Sequence, residues 1–211
     1  MITFFRKIKT LTPLEGYNRW SETYHTEDNP IKQLSDEFIK CELPDLKGKS
    51  VLDAGCGTGK FCKVAIDQGA AFVRGIDLSP KMIEQARNNC SEAFFKTGDL
   101  AVDSINEKYD VIICGLVLGH IDSLKSAMHN LLNALSPGGH LILTDFHPHQ
   151  TIRKAKRTFS HHGKTFEVKH NLHDLVEFFT YLKDAHVDVV TIIEPRFNNT
   201  PVIFGIHGIR S

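Results

Sequence analysis

Between Ser50 and Thr144, short unbroken apolar runs alternate with segments in which apolar residues recur every three or four positions. Ser50 to Asp53 predicts a first strand, and Gly59 to Gln68 a helix that ends at Gly69. Phe72 to Ile76 predicts a second strand. Ser79-Pro80 then places an N-cap serine before a proline suited to the first helical position, opening a helix to about Asn89. Ala93 to Lys96 predicts a third strand. Tyr109 to Cys114 predicts a fourth, its continuous apolar run suiting a strand buried on both faces of a parallel sheet. Asp122-Ser123 caps a helix to Leu135, which Pro137-Gly138-Gly139 stops, and His140 to Thr144 predicts a fifth strand.

Outside this stretch the rhythm differs. Ile31 to Cys41 has helical spacing and is cut off by Pro44 and Gly48. Residues 146–170 are polar, basic and histidine-rich. Leu172 to Lys183 predicts a helix, and Val187 to Ile193 and Val202 to Ile209 predict two late strands. The alternation implies an α/β fold, a doubly wound and mostly parallel sheet of seven strands. One domain over residues 1–211 is expected, with an N-terminal helical cap over 1–45 and a lid insertion over 146–170. That insertion would overhang the carboxyl edge of the sheet, where such sheets bind ligands.

Composition narrows the function classes. Twenty-five basic residues balance twenty-five acidic ones, so no general attraction to nucleic acid or acidic membranes is expected. Met1 to Leu11 sets Arg6, Lys7 and Lys9 after two phenylalanines and lacks the apolar core of a signal peptide. The longest apolar stretch, Val111 to Leu118, is too short to insert across a bilayer. The five cysteines show no CxxC pair, which suits reduced thiols packed as small hydrophobes in a cytoplasmic protein.

The most chemically informative segment is Asp53-Ala54-Gly55-Cys56-Gly57-Thr58-Gly59, between the first strand and its helix. Glycines there permit a sharp turn and close approach of a ligand, and the helix amino end offers free N–H donors. Asp77 ends the second strand, where one carboxylate can accept from two ribose hydroxyls. A dinucleotide site would need G-x-G-x-x-G, but position 60 is Lys60. An acidic Asp53 suits a cationic ligand with a free amino group better than it suits a pyrophosphate.

These segments resemble class I S-adenosylmethionine-dependent methyltransferases, which implies a Rossmann-like fold. Val51 to Gly59 looks like their first motif, and Gly75-Ile76-Asp77-Leu78-Ser79-Pro80 like the second. Thr97-Gly98-Asp99-Leu100, Tyr109 to Leu116, and Leu135-Ser136-Pro137-Gly138-Gly139 resemble later motifs in order. The resemblance implies S-adenosyl-L-methionine as donor and S-adenosyl-L-homocysteine as product. It places Asp53, Gly55, Cys56 and Gly57 at the donor loop, and Asp77 on the ribose. Leu78, Met82, Asp99 and Leu100 fall at the adenine, and Gly115 and Leu116 beside the methionine part. Tyr17 to Tyr24 is similar to the opening of the ubiquinone/menaquinone-biosynthesis and malonyl-carrier-protein methyltransferases. That likeness implies Tyr17 and Tyr24 at the methionine carboxylate and Trp20 closing the site. An aromatic stripe packing a helix onto the domain is the other reading.

For the acceptor chemistry, histidine is the natural base near neutral pH, which makes His120, His147 and His149 the catalytic candidates. His161, His162, His170 and His173 read as polar lid and helix-start residues. No carboxylate or cysteine beside them completes a metal set, so no metal is expected. Arg153, Lys154, Lys156 and Arg157 form a basic run before Phe159, either a solvated helix face or a contact for an acidic substrate or a carrier protein's phosphopantetheine. The expected acceptor is a small molecule, carrier-protein-linked or free. Cys114-Gly115-Leu116-Val117 stands where the resemblance would put an N-P-P-Y-type tetrad in amino-group methylases of bases. The competing reading is a protein that binds S-adenosylmethionine without transferring methyl.

Overall fold

The computed structural model describes residues 8–211, so Arg6, Lys7 and the rest of residues 1–7 lie outside the described residues. The first elements among the described residues are β1 (Lys9–Leu11), α1 (Pro13–Trp20) and α2 (Pro30–Glu42). The central alternation follows as β2 (Ser50–Ala54), α3 (Lys60–Asp67), β3 (Phe72–Asp77), α4 (Pro80–Asn89), β4 (Phe94–Thr97), β5 (Tyr109–Gly115), α5 (Leu124–Ala134) and β6 (Leu135–Phe146). Next come α6 (Pro148–Ile152), β7 (Thr158–His161), β8 (Lys164–Val168), α7 (Leu175–Asp184) and β9 (Val187–Ile193). A small ribbon of β10 (Arg196–Phe197) and β11 (Thr200–Pro201) precedes β12 (Ile203–Arg210).

Seven strands form the main sheet in the order β4-β3-β2-β5-β6-β12-β9. The first five run parallel, and β12 lies antiparallel between β6 and β9. The order reverses between β2 and β5, and the carboxyl ends of these strands flank the crevice such a reversal creates. Alternation along β2 and β5 divides the core. Leu52, Ile112 and Cys114 pack toward α5 and α7, whereas Val51, Val111 and Ile113 pack toward α2, α3 and α4. Asp53 shares its face with Val51 and so meets Cys62 of α3, whose thiol donates to its carboxylate at 3.5 Å.

Helix starts follow local chemistry. Ser79 caps α4 through Met82 N–H, and Asn29 caps α2 before Pro30. Asp174 and Glu177 form a reciprocal capping box on α7, which therefore begins three residues after the expected Leu172.

The ends of the chain hold the main departures from expectation. The N-terminal segment is not wholly helical, because β1 pairs in parallel with β8. The 146–170 insertion is a short helix followed by a hairpin, and β1, β8 and β7 make a second sheet. Cap and insertion are thus one unit, with Leu11, Phe159 and Val168 as its own small core. The basic run is not a helix face. α6 ends at Ile152, and Arg153 to Arg157 form the connection into β7, with Lys154 at φ 58°.

Candidate active site

Backbone sharpness concentrates at the carboxyl ends of β2 and β5. Gly55, Gly57 and Gly59 have φ of 78°, 52° and 82°, the left-handed region that costs side-chain-bearing residues energy. A Cβ at Gly57 would meet only the Tyr24 ring, at 3.6 Å, so the loop lies open on that side apart from this aromatic cover. A Cβ at Gly55 would stand 2.1 Å from Val117 Cγ2. The glycine loop therefore sits hard against the loop that follows β5. Leu116, at φ 58°, takes up strained backbone there and donates to Thr144 O at 2.8 Å.

Asp77 closes the first half of the site. Its carboxylate accepts from Gly57 N–H at 2.9 Å and Ser79 N–H at 2.8 Å, joining the glycine loop to the start of α4. Burial pushes its pKa up, while the two N–H donors oppose that. Asp53 is more deeply enclosed, 3% exposed, and burial raises its pKa to about 7. Asp99 opens the next loop, accepting from Ala101 N–H at 2.8 Å. Leu78 is exposed, whereas Cys56, Met82 and Leu100 are buried in the walls.

The cap builds the second half. Tyr17 stacks on Trp20 with ring centres 5.7 Å apart, and Trp20 stacks in turn on Phe159 of β7 at 4.9 Å. Tyr24 meets Trp20 edge-on at 5.0 Å, and the indole N–H is bound by Glu27. Asn18 Oδ1 accepts from Ser79 Oγ at 2.7 Å and so docks α1 on the loop that Asp77 organises. Tyr17, Trp20 and Tyr24 join Leu116, His120 and Arg157 around a cavity of about 140 Å³.

His120 is fixed in one tautomer. Nδ1–H donates to Lys169 O at 2.9 Å, which leaves the Nε2 lone pair to accept from the Tyr17 hydroxyl at 2.9 Å. Burial lowers its pKa to about 4, with the Arg157 charge adding to the effect, so the ring stays neutral at physiological pH. The turn Leu118–His120 is braced from three sides. Asp145 accepts from Gly119 N–H at 2.7 Å, Asn171 N–H donates to Gly119 O at 2.7 Å, and His173 Nε2 donates to Leu118 O and Ile121 O. Burial raises the Asp145 pKa to about 6, against its backbone donors.

His147 and His149 are placed otherwise. His147 Nε2 contacts Glu194 at 3.0 Å, and its Nδ1 accepts from His149 N–H at 3.1 Å. Neither lines the cavity that His120 shares with the aromatic cap. Glu22 of the cap comes together with His161 and His162, their ligand atoms within 4.8 Å of one another, so the carboxylate missing from the local sequence is supplied from afar. Asp145 and Asn18 are site residues that sequence reasoning missed, whereas Arg157 was named only as one of four cations in the basic run. Asp145 followed an expected strand with no motif to mark it, and only tertiary contacts single out Asn18 and separate Arg157 from its three cationic neighbours.

The donor set suits one kind of ligand. Asp53 is buried with a weak thiol donor and no facing cation among the described residues, and a cationic group would supply that countercharge. Asp77 stands at a strand end beside an open, N–H-bearing glycine loop, as a ribose diol requires. Fold and site together define an S-adenosylmethionine-dependent methyltransferase. The methyltransferase domain family model matches residues 25–192, and the chain belongs to that family. An uncharacterised protein of Haemophilus influenzae is 30% identical over 176 residues, covering 74% of this chain and 69% of that one. A demethylmenaquinone methyltransferase of Tropheryma whipplei is 29% identical over 153 residues, covering 68% of this chain and 63% of its own length. The N-methyltransferase NodS of Bradyrhizobium japonicum shares the fold with a TM-score of 0.73 at 17% identity, covering 93% of this chain and 97% of that one. No helix among the described residues is long and apolar enough to cross a membrane.

Proposed function

We propose that this protein transfers the methyl group of S-adenosylmethionine to a small-molecule acceptor held between the aromatic cap and His120. The observation that carries the reading is the single-tautomer His120, its lone pair turned to Tyr17 in a small cleft next to the glycine loop. When bound, the donor supplies an electrophilic methyl on a sulfonium. Asp77 accepts from the ribose hydroxyls, Asp99 takes the adenine amino group, and Leu78, Met82 and Leu100 line the adenine. Gly55, Cys56 and Gly57 provide the donor loop, and Gly115 and Leu116 lie along the methionine part. Tyr17 and Tyr24 reach its carboxylate while Trp20 closes the site. His120 holds a lone pair for the acceptor's proton.

A small acceptor is supported by the cavity volume, by the balanced charge, and by the demethylmenaquinone named for one relative. Free thiols at all five cysteines, four of them buried, support a reducing, cytoplasmic setting. The test is acceptor-dependent release of S-adenosylhomocysteine with a product heavier by one methyl group. Failure of every acceptor in a panel of small phenols, acids and amines, with donor binding intact, would favour binding without transfer.

Two variants test the donor half. Asp77→Ala should weaken S-adenosylhomocysteine binding by about 1.5–3 kcal/mol, roughly tenfold to 150-fold by calorimetry. Binding equal to the parent would remove Asp77 from the site. Asp53 makes the affinity depend on pH. Its folded pKa is raised, so without ligand the protonated form is favoured and stability falls as pH rises from about 4 toward 7. A cationic amino group reverses this by favouring the carboxylate. Donor affinity should therefore rise from pH 5 to pH 7 with proton release, and Asp53→Asn should flatten that dependence; an unchanged slope would exclude Asp53 as the countercharge.

A further inference from the structure

Arg157 is the one cation of the basic run drawn inward. Arg153, Lys154 and Lys156 are exposed, and Lys156 is paired with Glu167 at 2.9 Å. The Arg157 guanidinium instead lies 3.6 Å from the Phe146 ring centre, on the wall of the cavity that holds Tyr17 and His120. Its Nε and Nη2 are buried and have no hydrogen-bond partner among the described residues. Nε–H and the adjacent Nη2–H lie along one edge of the planar group and point the same way, a fork that matches two coplanar oxygens. Leaving two such donors unmade in a folded protein is costly, which is why buried groups of this kind are almost always paired. Asp145, the acid whose charge acts on Arg157, does not use them; its oxygens accept from Gly119 and Phe146 N–H. Burial lowers the Arg157 pKa to about 10, which still leaves it charged at neutral pH.

From this geometry we infer that the acceptor carries a carboxylate, held side-on by Nε and Nη2 of Arg157 with the methyl-accepting atom toward His120. The inference rests on the methyl-transfer reading and adds the substrate class to it. A monoanion suits the site better than a phosphate dianion, because Asp145 lies close enough to oppose further negative charge while a single guanidinium attracts it. The aromatic surfaces of Tyr17, Trp20 and Phe146 favour a flat acid.

The experiment is calorimetry on the whole chain saturated with S-adenosylhomocysteine, using benzoate, 4-hydroxybenzoate, their primary amides, and phenyl phosphate as probes. The acids should bind about tenfold or more tightly than the matched amides. Arg157→Gln should abolish that preference, and Arg157→Lys, which keeps the charge but loses the fork, should retain only part of it. Donor affinity should stay near that of the parent, since Arg157 contacts neither the glycine loop nor Asp77, and the variants should remain folded by circular dichroism. Equal binding of acids and amides, an undiminished preference in Arg157→Gln, or tighter binding of phenyl phosphate than benzoate would each overturn the proposal. Absence of methyl transfer with acid selectivity intact would count against the enzymatic reading alone, whereas transfer without acid selectivity would count against the carboxylate alone.

Discussion

His120→Ala is expected to lower turnover about 10²–10⁴-fold, far more than it lowers donor affinity. The asymmetry follows from where the ring sits. Nδ1–H donates to Lys169 O and Nε2 accepts from the Tyr17 hydroxyl, and neither nitrogen contacts the glycine loop or Asp77. Steady-state kinetics combined with calorimetry on S-adenosylhomocysteine separates the two effects. The pH profile adds a second readout. A solvated histidine would lose its lone pair as pH falls through about 6.5, whereas burial here lowers the pKa to about 4. The part of the acid limb that belongs to His120 should therefore lie near pH 4 and vanish in the variant. Tyr17→Phe removes the hydroxyl that donates to Nε2 and should shift this limb upward, because that bond favours the neutral ring. Turnover unchanged in His120→Ala would show that the acceptor needs no proton removed at this position.

The pattern of apolar residues made the central sheet legible because β2, β3, β5 and β6 carry buried apolar runs that are visible locally, while β4 is an exposed edge strand marked only by its place in the alternation. β9 was placed residue for residue at Val187–Ile193. β1 could not be seen, since three residues of which only Leu11 is buried carry no periodicity and owe their pairing to β8, more than 150 positions away. The same limit separates the histidines. In sequence, His120, His147 and His149 look alike as polar residues after strands. What distinguishes them is distant: Tyr17 and Lys169 turn His120 into a sheltered acceptor, whereas Glu194 draws His147 aside. Arg157 differs from its three cationic neighbours only in burial, which depends on Phe146 and the path of the chain into β7. The glycine loop and Asp77 were legible because their chemistry is carried by backbone conformation and one carboxylate at a strand end. Both are tied to local sequence, and the structure closes them on each other through Gly57 N–H and Asp77.

Gly55→Ala tests whether the two halves of the site are mechanically one. Two costs combine at this position. The backbone at φ 78° lies in the left-handed region, worth about 1–2 kcal/mol for a residue with a Cβ. The new methyl would also stand 2.1 Å from Val117 Cγ2 and 2.9 Å from Cγ1, and overpacking of this kind costs about 1–3 kcal/mol. The sum, about 2–5 kcal/mol, corresponds to a fall in melting temperature of roughly 4–20 °C for a domain of this size. Relief of the clash requires Val117 to move, and Val117 lies between Leu116, already at φ 58°, and the turn that carries His120. Any surviving fraction of the variant should therefore lose turnover as well as donor affinity. Val117→Ala in the Gly55→Ala background removes the overlap but not the backbone cost. The double variant should recover about 1–3 kcal/mol relative to additivity, and turnover should recover further than donor affinity. Strict additivity in thermal denaturation would show that the glycine loop and the His120 turn do not press on each other, and that Gly55 is required by its own backbone alone.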